Sequence, residues 1–497
     1  MGVEGLWTLL QNMSFRQTLK DFNIEHWFVK NFNNAHAPIV GVDASVLLDT
    51  FHAADRGMKN RTRNLHTSDT TLTQFQRFLC QLSEAGLKCI FCFDGPERPS
   101  FKRGRAVINR ESSHYKHAQT LIELFGYHVI TAQGDADAEL AVLNRTGVID
   151  AVLTKDSDVF PFGAICVLRV PPFTSQQSND LVVEVYDAPF IHQKTGITIG
   201  GFILLALLLR SDISNGISGI GAKTAFGLAQ CGFGDNLLNA FSQRSTSTTT
   251  ALAFQQINTE MTDEIKFNSH GKIGVCSPVR ANKLWESGFP SLKDLGDIEA
   301  FATPPISSQV YAHPPRLPNI EGIASFCRAN FGWTAELTLR KLHMDLWPAV
   351  VMQMLCSQYV VYNPTNAEFL TPAKEPTPDN LELTTAGRQF IPTYSISVLN
   401  KKLLDVHGKK PTHSTCIDFG VNTLIQLTGL AGSQVNTPTR RRLKIHSVII
   451  AYAMNNQPLN NSLGYTLPTA SSSRQPVDSI PHTDNEVIEL TDSDSNE

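Results

Sequence analysis

Over the first 240 residues, short unbroken apolar runs alternate with segments whose apolar positions recur every three to four residues. The runs read as buried strands and the periodic segments as amphipathic helices. PIVGVDAS (38–45) is an apolar run that ends in polar residues, hence a strand. Residues 70–85 space Leu72, Phe75, Phe78, Leu79 and Leu82 at helical intervals, and LKCIFCFD (87–94) is the next strand. A helix over 114–126 leads into the strand GYHVITA. The helix ADAELAVLNRTG is then stopped by Gly147. IDAVLTKD (149–156), AICVLRV (164–170) and LVVEVYD (181–187) complete the strands. Such alternation implies an α/β fold with a largely parallel sheet and helices on both faces.

The pattern changes beyond residue 240. Residues 242–265 are rich in Ser and Thr and read as a loop. Residues 318–357 read as helical, with Trp333, Leu339, Leu342, Leu346 and Trp347 as core. A Pro-rich stretch (363–378) separates them from a smaller region ending near 455. Strands are expected there around YSISVL and LKIHSVIIAYAM. From 456 onward the chain is polar and Ser-rich, the composition of disorder.

Composition narrows the function. A net charge of −4 excludes a globally basic nucleic-acid binder, so any nucleic-acid contact must use local basic patches. Nine cysteines, an odd number, in a long chain point to free thiols in a reducing compartment. Cys89 and Cys92 form a CxxC inside a strand, where residues three apart face opposite sides, so they do not form a metal or redox pair. The longest apolar run, IGGFILLALLL (199–209), is far below the roughly 20 residues that span a bilayer. Gly2 is followed by Leu6 where a myristoylation signal needs Ser or Thr. A protein without a membrane association is expected.

The candidate chemistry is acidic. Asp43, Asp94, Asp135, Asp137, Asp156, Asp158 and Asp212 lie at the ends of hydrophobic segments, and Asp43, Asp94 and Asp156 at or near strand C-termini. Sites in parallel sheets form beyond those ends. Carboxylates held close raise one another's pKa unless a cation neutralises them. An all-oxygen donor set suits Mg²⁺ or Mn²⁺. Two such ions about 3.5–4 Å apart serve in-line attack on a phosphodiester. A metal-dependent nuclease is the working expectation. Each aspartate taken alone is equally a helix cap or turn residue.

Five motifs now appear in order. They are MGVEGLWTLL at the start, DAS (43–45), FDGPERPSFKR (93–103), GDADAELAVLNRTGVIDAVLTKDSDVFPFGA (134–164) and LLALLLRSDISNGISGIGAKTAFGLA (204–229). Together they resemble the flap-endonuclease/XPG superfamily. The short Asp94–Asp135 interval, FDGPERPSFKR and the block FCRANFGW…LHMDLWPAVV resemble its Holliday-junction resolvase branch, particularly the fungal members.

The resemblance implies a PIN-like fold and divides the chain. A nuclease domain would cover 1–245, made of an N-terminal part (1–105), an internal part (115–210) and a helix–two-turn–helix element (211–240). A helical extension of the core would follow over 246–358, a chromodomain-like module over 360–455 and a disordered tail over 456–497. By the same resemblance Asp43, Asp94, Asp135 and Asp137 would hold a first Mg²⁺, and Asp156, Asp158 and Asp212 a second, with Asp137 able to bridge. Mn²⁺ would substitute, and Gly2 would lie near the site. Lys102, Arg103, Arg105 and Arg110 would clamp the scissile phosphate and unpaired strand, Lys102 and Arg103 foremost; the bland alternative is a solvated charged surface. Gly216, Gly219 and Gly221, with Lys223, would present backbone N–H groups and a helix N-terminus to duplex DNA.

The implied activity is cleavage of branched DNA (5′ flaps, forks or Holliday junctions) in repair and recombination in the nucleus, with dimerisation on a four-way junction. Rival readings are a branched-DNA-binding scaffold with a relaxed metal site, and a ribonuclease of the wider PIN-like group. The chain departs from the family pattern at Asp135 and Asp137, where Glu is usual, and at Arg210 and Ile213, where Gly and Tyr are usual. Each Asp for Glu retracts a carboxylate by about 1.5 Å. TRRRLK (439–444) reads as a nuclear-localisation or DNA-backbone patch, or as an exposed turn. Val487, Ile488 and Leu490, followed by acids, resemble a SUMO-interacting motif, which binds as an added strand.

Overall fold

A computed structural model describes residues 2–28, 38–61, 70–98, 101–102, 105–106, 113–171, 180–307, 316–376, 381–384, 387–390, 394–399, 414–430 and 438–455. The N-terminal half builds α1 (Leu6–Leu9), β1 (Ser14–Thr18), α2 (Leu19–Asn23), β2 (Ile39–Asp43), α3 (Ala44–Arg61), α4 (Thr70–Glu84) and β3 (Lys88–Phe93). A short hairpin, β4 (Phe101–Lys102) and β5 (Arg105–Ala106), precedes α5 (Ser113–Leu124), β6 (His128–Thr131) and α6 (Ala136–Arg145). Then come β7 (Ala151–Leu153), β8 (Cys166–Arg169), β9 (Val182–Asp187), α7 (Ala188–Thr195) and α8 (Ile199–Leu208).

These strands form one seven-stranded sheet in the order β1-β9-β8-β7-β2-β3-β6. The run β8-β7-β2-β3-β6 is parallel, as the alternation of elements requires; β9 joins β8 antiparallel, and β1, which hydrophobic pattern did not reveal, closes that edge. Period-two alternation sends successive side chains to opposite faces. On β3, Cys89, Phe91 and Phe93 enter one buried cluster, Ile90 and Cys92 the other. The two cysteines of the CxxC therefore point apart.

The sheet has a switch point. From β2 the chain moves outward through β3 and β6, then returns to lay β7 and β8 on the other side of β2. Val42 pairs with both Phe91 and Leu153, so the C-terminal ends of β2, β3 and β7 lie level. A crevice opens at such a reversal, beyond the strand ends.

A helical layer follows: α9 (Ala222–Gln230), α10 (Phe233–Ser242), α11 (Ser247–Phe267), α12 (Pro278–Ser287), α13 (Leu295–Ala302), α14 (Ile320–Phe331), α15 (Ala335–Lys341) and α16 (Trp347–Leu355). Residues 242–265, expected as a loop, are largely α11 instead. Its Ser and Thr cluster at the start, where Thr246 and Thr249 form a capping box. Behind them Thr250, Phe254, Ile257, Met261 and Ile265 make a buried stripe at helical spacing. Of the expected core residues, Leu339, Leu342, Leu346 and Trp347 are buried and Trp333 packs at the margin.

The last region carries β10 (Val361–Asn363), β11 (Glu368–Thr371), β12 (Leu381–Thr384), β13 (Gly387–Phe390), β14 (Tyr394–Val398), β15 (Ser414–Gly420), α17 (Asn422–Leu427), β16 (Arg440–His446) and α18 (Ser447–Asn455). Five of its strands form an antiparallel sheet, β10-β11-β14-β15-β16. SVIIAYAM, expected as strand, is helix α18: LKIH ends the strand, and Ser447 marks the change. The sheet does not pack on itself alone. Phe369, Ile396, Phe419, Ile449 and Tyr452 lie in the same apolar cluster as Phe28, Phe91 and Trp347. Phe28 and Tyr452 meet edge to face, ring centroids 5.2 Å apart.

TRRRLK lies on edge strand β16. Arg440 pairs with Asp418 at 2.6 Å. Arg441 is half-buried, donates to the Met344 carbonyl at 3.4 Å, and lies among Glu84 and Asp345. At least two of the three arginines thus hold this sheet in place. Residues 456–497, with Val487, Ile488 and Leu490, lie outside the described residues.

Candidate functional site

The carboxylates meet at the switch point. Asp43 ends β2 and is buried; its Oδ1 accepts from the Val46 N–H at 3.1 Å and its Oδ2 from the Thr154 hydroxyl at 3.0 Å. Thr154 follows β7 directly, so one hydroxyl ties two neighbouring strand ends together. It also accepts from the Asp156 N–H at 3.1 Å, shaping the turn that delivers Asp156 and Asp158. Both are buried, and the Asp158 N–H donates to Asp156 Oδ1 at 3.2 Å. Asp137, in the first turn of α6, completes a group with Asp156 and Asp158 in which one carboxylate oxygen of each lies within 4.8 Å of the others. Asp212 follows α8, and its N–H faces Asp158 Oδ2 at 3.4 Å.

Asp94 sits one residue beyond β3. Its Oδ1 accepts the Ala136 N–H at 3.0 Å, docking the start of α6, with Asp135 at its N-cap, against the end of β3. Its Oδ2 pairs with Arg98 at 2.6 Å. Burial pushes the Asp43 carboxyl up to about 8, with Asp94 and Asp156 adding repulsion. Loss of solvent is the larger cause, and the two neighbouring carboxylates add to it.

The N-terminus packs onto this cluster. Gly2 has φ +81°, and a Cβ there would stand 2.2 Å from Asp156 Oδ1 and 2.6 Å from the Ser157 nitrogen. Only a residue without a side chain fits. The segment is tethered by the Glu4 N–H to the Arg210 carbonyl at 2.8 Å, and by Trp7 Nε1 to the Lys155 carbonyl at 3.1 Å. Arg169 stacks over the Trp7 ring at 4.5 Å.

Beside Asp212 a glycine hairpin leads into α9. Gly216 and Gly219 have φ +71° and +88°, and Gly221 is the N-cap of α9 with no side chain over the first turn. Lys223 is exposed on that turn. Two residues of α12 join it that the sequence pattern did not single out. Lys283 lies over Gly219, whose added Cβ would meet its Cδ at 2.4 Å, and Arg280 donates to Thr224 at 2.9 Å. Arg280 lies 56 residues beyond Thr224 and Lys283 lies farther still beyond Gly219, so only packing brings them here. Arg98 and Thr154 are further participants the sequence pattern did not single out, although the spacing of Arg98 four residues after Asp94 was visible. Lys102 and Arg105 pair across the β4–β5 hairpin. Arg103 and Arg110 lie outside the described residues.

Comparison with known proteins gives a consistent picture. The XPG N-terminal domain model matches residues 1–116, and the XPG I-region model matches residues 126–212. The chain is 26% identical over 258 residues to flap endonuclease 1 of Glossina morsitans morsitans, covering 45% of this chain and 64% of that protein. It is 28% identical over 251 residues to single-strand DNA endonuclease 1 of Oryza sativa subsp. japonica, covering 48% of this chain and 38% of that protein. The match thus spans less than two thirds of either relative. Among solved structures, the Holliday junction-resolving enzyme GEN1 in complex with product DNA and Mg²⁺ superposes with a TM-score of 0.62 at 21% identity, over 90% of this chain and 96% of that one. A second GEN-1 structure, binding cesium, gives 0.64 at 21% identity with the same coverage. At such identity the likeness establishes the fold.

Proposed function

We propose, from the premise that this chain belongs to the flap-endonuclease/XPG superfamily, that it is a structure-selective, divalent-metal-dependent endonuclease acting on branched DNA. The substrates would be 5′ flaps, forks or Holliday junctions, in recombination and repair in the nucleus. One observation carries the reading: Asp137, Asp156 and Asp158, from two separate segments, converge within 4.8 Å beside the buried Asp43. This all-oxygen set, with Asp43 lifted by burial first and by its carboxylate neighbours second, fits a hard divalent cation.

In this reading Asp43, Asp94, Asp135 and Asp137 would hold one Mg²⁺ and Asp156, Asp158 and Asp212 a second, with Asp137 near enough to Asp156 and Asp158 to serve either, and Mn²⁺ would substitute. Bound there, such ions supply Lewis-acid activation of a phosphodiester and charge neutralisation in its transition state. The chain's own residues do the rest. Thr154 orients Asp43, and the Ala136 N–H orients Asp94. Gly2 closes one side of the site without a side chain that would occupy it. The hairpin at Gly216, Gly219 and Gly221, with Lys223 and Lys283, offers backbone N–H groups and cationic charge to the backbone of the duplex arm.

A second reading, a branched-DNA-binding scaffold with a relaxed metal site, draws support from the Arg98–Asp94 pair, which already neutralises one carboxylate. End-labelled 5′-flap and four-way-junction DNA, incubated with the full chain and Mg²⁺, Mn²⁺ or EDTA, separates the two. The nuclease reading expects metal-dependent incision near the branch, lost on Asp156→Ala while DNA binding persists. Binding without incision in either metal sinks it in favour of the scaffold.

A further inference from the structure

At the end of α9 opposite the glycine hairpin, three side chains of different donor chemistry meet. Cys231 caps the C-terminus of α9, Glu264 lies in the last turn of α11, and His270 sits in the turn that follows. One ligand atom of each lies within 4.8 Å of the others. His270 Nδ1 is 2.8 Å from Glu264 Oε2, and the His270 backbone N–H donates to Oε1 at 3.0 Å.

The surroundings hold this arrangement. Asn268 adopts φ +51°, and its Oδ1 accepts from the Ile273 N–H at 2.8 Å, which closes the turn. The turn is pressed onto α9: a Cβ on Gly227 would stand 2.7 Å from the Lys272 carbonyl oxygen. The His270 ring meets the Phe233 ring edge to face at 6.2 Å. Glu264 is 3% exposed, yet the His270 side chain is 55% exposed, so the group is buried on one side and open to solvent on the other.

We propose that Cys231, Glu264 and His270 form a binding site for a thiophilic divalent cation of the zinc type, separate from the carboxylate site. A sulfur, a nitrogen and an oxygen donor select such an ion over Mg²⁺, which takes oxygen ligands. Charge balance favours it, since one thiolate and one carboxylate neutralise a dication. On binding, the Cys231 S–H bond breaks, an S–metal bond forms and the proton leaves to solvent, with no change of oxidation state. Burial, with help from Glu264, holds that thiol proton, pushing its pKa up to about 11 without metal; a dication displaces it, as in other thiolate sites. The Nδ1 proton of His270 moves to Nε2 by way of solvent, the Glu264–His270 hydrogen bond gives way to two metal bonds, and water fills the fourth position on the open side. The site would pin α9, the helix entered by the glycine hairpin, to α11.

The test is titration of the full-chain protein with Co²⁺, then Zn²⁺, with excess Mg²⁺ present to saturate the carboxylates. The expected result is a near-ultraviolet thiolate-to-cobalt charge-transfer band that saturates at a single equivalent and is lost on adding Zn²⁺. Cys231→Ser should abolish the band. His270→Ala, on the open side, should raise the dissociation constant at least about tenfold. Cys416→Ser, an exposed thiol on β15, should leave the band intact. The carboxylate site holds no sulfur and cannot mimic this signal. Absence of the band overturns the proposal, as does a band that survives Cys231→Ser or disappears with Cys416→Ser. Should Cys231→Ser lower the yield of folded protein, His270→Ala alone decides: an unchanged dissociation constant overturns the site.

Discussion

Gly95 offers the sharpest test of how the acidic site is assembled. It follows Asp94, and its N–H donates to the Gly134 carbonyl at 2.7 Å. A Cβ at this position would stand 1.8 Å from the Ala132 carbonyl oxygen, 2.5 Å from that of Gln133 and 2.8 Å from the Ala132 carbonyl carbon. Carbon–oxygen contacts normally begin at about 3.3 Å. Gly95→Ala therefore forces the end of β3 and the segment before α6 apart by about 1.5 Å. Every obstructing atom is backbone, so no side chain can swing away. Overpacking of this kind costs about 1–3 kcal/mol, and the upper end applies here. These two segments carry Asp94 and Asp135, joined by the 3.0 Å bond from the Ala136 N–H. A misplacement of about 1 Å in a catalytic array costs about 10²-fold in rate. The expected outcome is single-turnover flap cleavage slowed about 10²-fold and a melting temperature lowered by several degrees. Gly134→Ala is the control, because its Cβ would meet only Pro305 Cγ at 3.9 Å, an ordinary contact; its rate should stay within about twofold. Wild-type rate and melting in Gly95→Ala would refute the reasoning, as would equal damage in Gly134→Ala.

Other predictions follow from the same geometry. The Asp43 carboxyl is raised from 3.8 to about 8, so the stability its protonation contributes is fully present below 3.8 and is lost as pH rises through about 8. Metal-free protein should therefore melt lower at pH 9 than at pH 6, with the difference reduced in Asp43→Asn; thermal melts in EDTA at both pH values check it, and an unchanged difference speaks against a proton held by the buried Asp43 carboxyl. Arg98→Ala removes the 2.6 Å partner that orients Asp94. Cleavage should slow about tenfold with flap affinity within about threefold, so a faster enzyme would mean that Arg98 restrains the site instead. Truncation after residue 358 deletes Phe369, Ile396, Phe419, Ile449 and Tyr452 from a cluster shared with Phe28 and Trp347. The shortened chain should be poorly soluble or melt well below the full chain, and wild-type melting of residues 1–358 would show that the last sheet is dispensable.

Much of the sheet was legible because each parallel strand is a short apolar run with a polar end, and a buried strand needs no partner information to be recognised. The carboxylates were legible for a related reason: they stand where those runs stop, and strand ends share one edge. Elements governed by local chemistry at one end misled the reading. The Thr-rich start of α11 is a cap, not a loop, and its buried stripe begins only afterwards. β1 shows no run because both its faces are half-covered.

Sequence by itself determined the strand–helix alternation, the acidic residues at the strand ends and the glycines of the hairpin, since these depend on local conformation and burial. Tertiary structure decided which aspartates meet, because convergence follows from the strand order at the switch point, set by packing on both faces of the sheet. It also decided that Arg98 pairs with Asp94, that Lys283 reaches the hairpin, and that Cys231, Glu264 and His270 meet. It joined the last sheet to the core of the first, although a Pro-rich stretch separates them in the chain. Residues distant along the sequence become neighbours only through packing, and no local pattern encodes that distance.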